Sequence, residues 1–298
     1  WFDTDTERLS LAFFRRGSHG KIAVDSISLA SPAITALSKT IIETLNELKI
    51  GGRSLKTLLI RSDRAGRTAW QLYVKDEDFD PKPLLAQLGD AENSGEIIYS
   101  NPKSPASVIT KRLYSGTDIV LEDTILDVPF RYATEGFFQI NLPVYEQALR
   151  DMEQWVKPGK PVVDMYSGVG TIGLTIGGDN VTLVEINEHA VREMERNIAE
   201  LGKKATPVLA ASENALEYIV ANKTIIVDPP RAGLHEAVIE RLLEQKPERI
   251  IYLSCNPVTQ ARDVARLAEV YGIRAHKGYN FFPHTPHIEH LVILDKRP

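Results

Sequence analysis

A chain of 298 residues, 43% hydrophobic and 25% charged, has the composition of a soluble globular protein with room for a large domain and a smaller companion. No apolar run reaches the roughly eighteen residues of a membrane helix, and Trp1-Phe2-Asp3-Thr4-Asp5 has neither a basic nor an apolar leader segment; no membrane role is expected, and a cytoplasmic setting is. Thirty-five basic against forty acidic side chains leave a net charge of −5, which argues against nucleic-acid binding through bulk charge and leaves only local basic clusters.

Without an initiator Met, the sequence reads as part of a longer chain. In chain order, Leu9–Phe14, Leu55–Ile60, Ala69–Val74 and Ile97–Tyr99 read as strands between Gly-, Asp- and Pro-containing turns. Apolar Ile34, Leu37, Ile41, Leu45 and Leu48 at helical spacing predict a helix over Pro32–Leu48. Residues 1–124 are therefore expected to form a small α+β domain. Its basic clusters are Arg15, Arg16 and Lys21, then Arg61, Arg64 and Arg67, then Lys103, Lys111 and Arg112.

From residue 125 the pattern changes to strand–helix alternation. Strands are expected at Val162–Tyr166, Val181–Ile186, Pro207–Ala210, Thr224–Val227 and Ile250–Ser254, with helices at Glu188–Leu201, His235–Leu243 and Val258–Tyr271. Short apolar strands alternating with helices imply a parallel sheet covered on both faces. Two last strands, Arg274–Tyr279 and His290–Asp295, have no helix between them, so residues 125–298 should form a doubly wound α/β sheet with an antiparallel end.

Within this half, the strand Val162–Tyr166 runs into Ser167-Gly168-Val169-Gly170-Thr171-Ile172-Gly173, and glycines there allow a tight turn close to a ligand. The next strand ends in Glu185, where a carboxylate can accept both hydroxyls of a ribose. The loop opens with Asp164 and lacks a third glycine spaced for a pyrophosphate, so a cationic, phosphate-free ligand such as S-adenosylmethionine fits better than a dinucleotide.

Three later segments bear on chemistry. Asp228-Pro229-Pro230-Arg231 must leave the sheet as a fixed loop, because consecutive prolines cannot continue a ladder. The only cysteine, Cys255, excludes a disulfide framework, a zinc knuckle and an iron–sulfur site within this chain. It stands at a strand end directly before a helix, where a lowered thiol pKa is expected. Glu289 follows the rings and prolines of Phe282–Ile288, a setting that would keep its carboxylate partly desolvated and basic.

These segments resemble the uridine-5 RNA methyltransferase family, which acts on tRNA and large ribosomal RNA. The matches are Phe137-Phe138-Gln139-Ile140-Asn141, the Asp164–Gly173 loop, Glu185, Asp228-Pro229-Pro230-Arg231, Ser254-Cys255-Asn256-Pro257 and His284–Glu289, in the family's order. Phe13–Leu29 also resembles the domain that precedes the catalytic domain there. The resemblance implies a Rossmann-like methyltransferase domain, S-adenosyl-L-methionine as cofactor, and an RNA substrate met by a monomer. By position it assigns cofactor contacts to Gln139, Tyr166, Thr171, Glu185, Asn214 and Asp228. It makes Cys255 the nucleophile and Glu289 the base. Two features depart from the family: Ser167 stands where many relatives have Cys, and neither the N-terminal TRAM domain nor the iron–sulfur cysteines are in this sequence.

The chemistry agrees with that assignment. Carbon 5 of uracil is too weak a nucleophile to take a methyl unaided, and thiolate addition at carbon 6 turns it into an enolate carbon. A cytosine-5 RNA methyltransferase is the nearest rival, but that class uses a second Cys beside its proline motif, where Asp228 stands. A catalytically silent RNA-binding protein on the same fold is the other.

Overall fold

The structure, a computed structural model, describes residues 8–298 apart from 16, 19, 29, 105 and 106. The expectations on Trp1–Asp5, Arg16 and Leu29 therefore lie outside the described residues. The chain forms two compact units, divided between Asp123 and Thr124.

The first unit begins with a short antiparallel pair, β1 (Ala12–Phe14) and β2 (Lys21–Ala23). Helix α1 (Pro32–Glu47) starts where Ser31 accepts the Ile34 N–H and Pro32 fills the first turn, and it buries Ile41 and Leu45. A four-stranded sheet follows, made of β3 (Leu55–Ser62), β4 (Thr68–Val74), β5 (Gly95–Tyr99) and β6 (Lys111–Ser115), with α2 (Lys82–Leu88) joining β4 to β5. Trp70, Leu72, Val74 and Ile97 pack with α1 and α2 into one apolar core. Three side chains of the basic clusters are partly neutralised: Arg67 by Asp63, Lys111 by Glu77 and Arg112 by Glu96.

The unit boundary falls within β7 (Val120–Ile125), which pairs with β8 (Val128–Ala133). The second unit continues through α3 (Leu142–Glu153), β9 (Val162–Met165), α4 (Thr171–Ile176), β10 (Val181–Glu185), α5 (Glu188–Leu201) and β11 (Ala205–Leu209). It then runs through β12 (Thr224–Val227), α6 (Glu236–Gln245), β13 (Arg249–Ser254), α7 (Pro257–Leu267), β14 (Tyr271–Tyr279) and β15 (Glu289–Lys296). Seven strands form one sheet in the order β11-β10-β9-β12-β13-β15-β14, parallel from β11 to β13 and antiparallel at β15 and β14.

This is the expected methyltransferase-type sheet. Its chain reversal, between β9 and β12, opens a crevice at the carboxyl edge where ligands of such sheets bind. Val163, Ile225, Ile250 and Tyr252 belong to the core that fixes the strands. The last strand inserts between β13 and β14, which brings its first residue back to the same carboxyl edge.

Several element ends differ from expectation by one to four residues, most of all at the first strand and around the end of α7. The first strand covers only Ala12–Phe14, and α7 stops at Leu267 because Tyr271 already starts β14. Tyr271 is buried there, donating its hydroxyl towards the carbonyls of Leu242 and Pro247, an anchor that a longer helix would break. Among the described residues, no helix is long and apolar enough to cross a membrane.

Candidate active site

The sheet register aligns the strand-end residues. Val184 and Val227 both lie beside Met165, so Glu185, Tyr166 and Asp228 follow at one level on three neighbouring strands. Tyr166 has a left-handed backbone (φ 66°), which turns the chain sharply into the glycine loop. Its hydroxyl accepts a hydrogen bond from Ser212 Oγ at 2.8 Å, so the phenol is fixed in place. Glu185 is half-buried and accepts from the backbone N–H of Gly168 at 2.9 Å and of Asn187 at 2.8 Å. One carboxylate thus shapes the loop and keeps lone pairs for a ligand.

Asp164 sits beneath that loop, fully buried. One oxygen accepts the Gly173 N–H at 2.8 Å, while Oδ1 is buried with no partner. Burial pushes its pKa up to about 7. Gly173 is required here by space: a Cβ would lie 2.3 Å from Leu183 Cδ2 and 3.0 Å from Asp164 Oδ2, so only glycine lets α4 approach the sheet. An orphan buried carboxylate oxygen under a glycine turn, with Glu185 beside it, fits a ligand bearing an ammonium and a ribose. The donor set therefore suits S-adenosylmethionine.

Thr171 opens α4 and shares a 2.9 Å hydrogen bond with the hydroxyl of Tyr145. Tyr145, on α3, was not singled out in the sequence. It is buried, and the carboxylates of Asp228, Asp164 and Glu289 join burial in raising its pKa. Gln139 is also buried. Its neighbours hold it: Phe138 stacks on Tyr132 at 3.9 Å, and Asn141 Nδ2 donates to the Phe281 carbonyl at 3.0 Å. Asn214 is exposed at the end of a short turn whose Ser212 bonds the Tyr166 hydroxyl.

Cys255 and Glu289 meet through the antiparallel pair. Ser254 lies opposite His290, so Cys255 and Glu289 are the next residues along on each chain. Glu289 is 4% exposed, and burial raises its pKa to about 7, with Arg231 acting in the opposite direction. Asp228 is raised well above the usual carboxylate range by burial, then by Glu289 and Asp164.

The thiol departs from the sequence expectation. Cys255 does precede α7, but its pKa is raised: burial comes first, then Glu289 and Asp228, against Arg231. Two nearby carboxylates and desolvation outweigh the helix terminus, so the thiol needs a base to become a nucleophile.

Helix α7 also organises the Asp228–Leu234 loop. Asn256 caps the helix at Val258 N and, through Nδ2, donates to the Arg231 carbonyl at 2.9 Å. Thr259 Oγ1 donates to the same carbonyl at 3.1 Å, and Arg262 Nη2 donates to that of Ala232 at 2.9 Å. Buried Asp263 accepts from the Leu234 N–H and the Tyr252 hydroxyl, both at 2.8 Å. These bonds hold in place the segment that bears Arg231, the cation acting on both Cys255 and Glu289. Among the described residues, no three His, Cys, Asp or Glu side chains gather as a metal site would require.

Comparison with known proteins gives this site its context. A family model described as tRNA (Uracil-5-)-methyltransferase matches residues 214–297. An uncharacterized RNA methyltransferase of Enterococcus faecalis is 30% identical over 313 residues, covering 97% of this chain and 68% of its own. A tRNA (uracil(54)-C(5))-methyltransferase of Pyrococcus abyssi is 38% identical over 176 residues, covering 58% of this chain and 42% of its own. The crystal structure of the Pyrococcus abyssi tRNA (uracil-54, C5)-methyltransferase in complex with S-adenosyl-L-homocysteine superposes with a TM-score of 0.78 at 29% identity, covering 94% of this chain and 72% of that one. With its sheet and these relatives, the chain belongs to the uracil-5 family of S-adenosylmethionine-dependent RNA methyltransferases.

Proposed function

We propose that the protein methylates carbon 5 of a uridine in tRNA or large ribosomal RNA through a covalent Cys255–uracil adduct, with Glu289 as the base. The observation that supports this most is that the only thiol, one residue past Ser254, and a buried, proton-accepting carboxylate, one residue before His290, flank the last registered pair of β13 and β15. Gln139, Tyr166, Thr171, Glu185 and Asp228 frame the cofactor crevice beside that pair. Asn214 is assigned to the cofactor by position alone.

S-adenosylmethionine, when bound, supplies an electrophilic methyl on a positively charged sulfur. In this reading Asp164 would meet its ammonium and Glu185 its ribose. The Cys255 thiol gives its proton to water, the thiolate sulfur bonds to carbon 6 of uracil, and the electron pair of the 5,6 double bond moves into an enolate. Carbon 5 then takes the methyl. Glu289 removes the proton left on carbon 5, and the returning electron pair expels Cys255 and restores the double bond. A monomer acting in the cytoplasm completes the proposal.

The test is to incubate the protein with S-adenosylmethionine labelled in its methyl group, together with unmodified tRNA or large ribosomal RNA, and analyse the nucleosides by mass spectrometry. Label in 5-methyluridine from either RNA is the expected result. Label in 5-methylcytidine, or in neither RNA, would overturn it.

Glu185 gives a second measurement. Replacing it by Ala removes the ribose acceptor and the Gly168 anchor together, so affinity for S-adenosyl-L-homocysteine should fall by roughly 1.5–3 kcal/mol, or about ten- to a hundredfold. Calorimetry giving equal affinity for wild type and Glu185→Ala would remove Glu185 from the cofactor site.

A further inference from the structure

We infer that Gln260 is a positioning residue: it clamps together the two strand ends that bear Cys255 and Glu289 and so sets the spacing between them. The inference rests on the proposal that these two residues act as a pair. Gln260 lies on α7 and is 1% exposed. Its side-chain Nε2 donates to the Tyr252 carbonyl on β13 and to the His290 carbonyl on β15, both at 2.9 Å. Its Oε1 lies 2.6 Å from His290 Nδ1.

The orientation of this amide follows from its partners. Two backbone carbonyls only accept, so the NH2 group must face them, and Oε1 is left to accept from His290 Nδ1. Both amide protons are therefore spent on strands, and His290 must hold its proton on Nδ1. Such a buried group does more than fill space, because its bonds specify one relative placement of three elements.

Each anchor point adjoins the reacting pair. Tyr252 precedes Cys255 by three residues, His290 follows Glu289 directly, and the Gln260 backbone N–H donates to the carbonyl of Asn256, next to Cys255. The backbone ladder by itself would hold this place loosely. Beyond Ser254 and His290 the two chains part, one into α7 and the other into the loop that ends at Ile288. On its other side Glu289 is held by its pairing with Tyr279 of β14. Gln260 supplies the brace on the thiol's side, where an error of about 1 Å costs on the order of a hundredfold in rate.

The test compares Gln260→Leu, which keeps the bulk and loses the bonds, with His290→Asn, which keeps a donor near the Nδ1 position. With only one cysteine in the chain, alkylation rate against pH reports the Cys255 thiol directly. The charged groups acting on it are Glu289 of β15, Asp228 after β12 and Arg231 of the following loop. Once the clamp is lost and Glu289 drifts away, the thiol of Gln260→Leu should titrate at least half a pH unit below wild type. Its kcat on RNA should fall ten- to a hundredfold while affinity for S-adenosyl-L-homocysteine stays within twofold. His290→Asn should keep most of the wild-type behaviour in both.

A folded Gln260→Leu with wild-type titration and wild-type kcat would overturn the inference. If that variant does not fold, His290→Leu breaks only the third of the Gln260 bonds, together with the exposed His290 Nε2–His276 Nδ1 contact, and should show the same shifts at smaller size; no shift there is equally decisive. The titration needs no RNA, so it judges Gln260 even if the wild type proves unable to methylate. That latter failure would fall on the proposed function instead.

Discussion

Cys255→Ala is expected to lose methyl transfer altogether, while Glu289→Gln accumulates a methylated protein–RNA adduct that it cannot release. Without the sulfur no bond to carbon 6 can form, carbon 5 stays unreactive, and the loss should exceed about ten-thousandfold for a covalent catalyst. Glutamine preserves the shape of Glu289 and removes the proton acceptor. Addition and methyl transfer then proceed, and the sequence of steps stops before elimination. On a denaturing gel, Glu289→Gln should give a protein–RNA band that needs both S-adenosylmethionine and Cys255. RNA bearing 5-fluorouridine should trap the wild type in the same way, since fluorine cannot leave as a proton. Near-normal turnover by Glu289→Gln would show that the residue merely starts a strand, and any methylation by Cys255→Ala would end the covalent reading.

The second large effect is on stability, and its sign is the reverse of the usual carboxylate case. Glu289 and Asp164 are both held near 7 by burial, above their ordinary values of 4.5 and 3.8. Between about pH 4 and 7 the unfolded chain has released these protons while the folded protein retains them. Stability contributed this way is therefore present at low pH and lost as pH rises through about 7. At about 1.4 kcal/mol per pH unit of separation, Glu289 alone accounts for roughly 1–3 kcal/mol. Glu289→Gln removes the ionisation, so it should melt roughly 3–8 °C above wild type at pH 8, with the gap closing below about pH 4. Asp164 keeps part of the slope in the variant. Melting curves that show no pH-dependent gap between the two proteins would contradict a buried, ionisable Glu289. The predicted gain in an inactive variant is the stability that a working site gives up.

Local pattern in the chain was enough to mark out the sheet and many of the residues at its edge. Strands such as Thr224–Val227 and the helix Glu188–Leu201 were legible to the residue, because buried parallel strands are short apolar runs and a surface helix repeats its apolar face. The strand-end acids Glu185 and Asp228, the glycine loop and Cys255 stood out for the same reason: each interrupts an apolar pattern where a chain leaves the sheet. Helix α3 was equally periodic, with Leu142, Tyr145, Ala148, Leu149 and Met152 buried, yet no sequence expectation covered it.

Groups that meet across the chain were not legible in this way. Tyr145 reaches Thr171 and the carboxylates from a helix that begins before the glycine loop. Gln260 reads in sequence as one polar residue on an amphipathic helix, and its meaning lies in carbonyls on two other strands. The thiol pKa is the clearest case. Local sequence offers only the helix terminus, which lowers it, whereas burial in the fold raises it first, and Glu289, brought beside it by the insertion of β15 next to β13, raises it further. Propensity and periodicity act over a few residues; desolvation and charge act through space, and the order of strands in the sheet sets which charges are near.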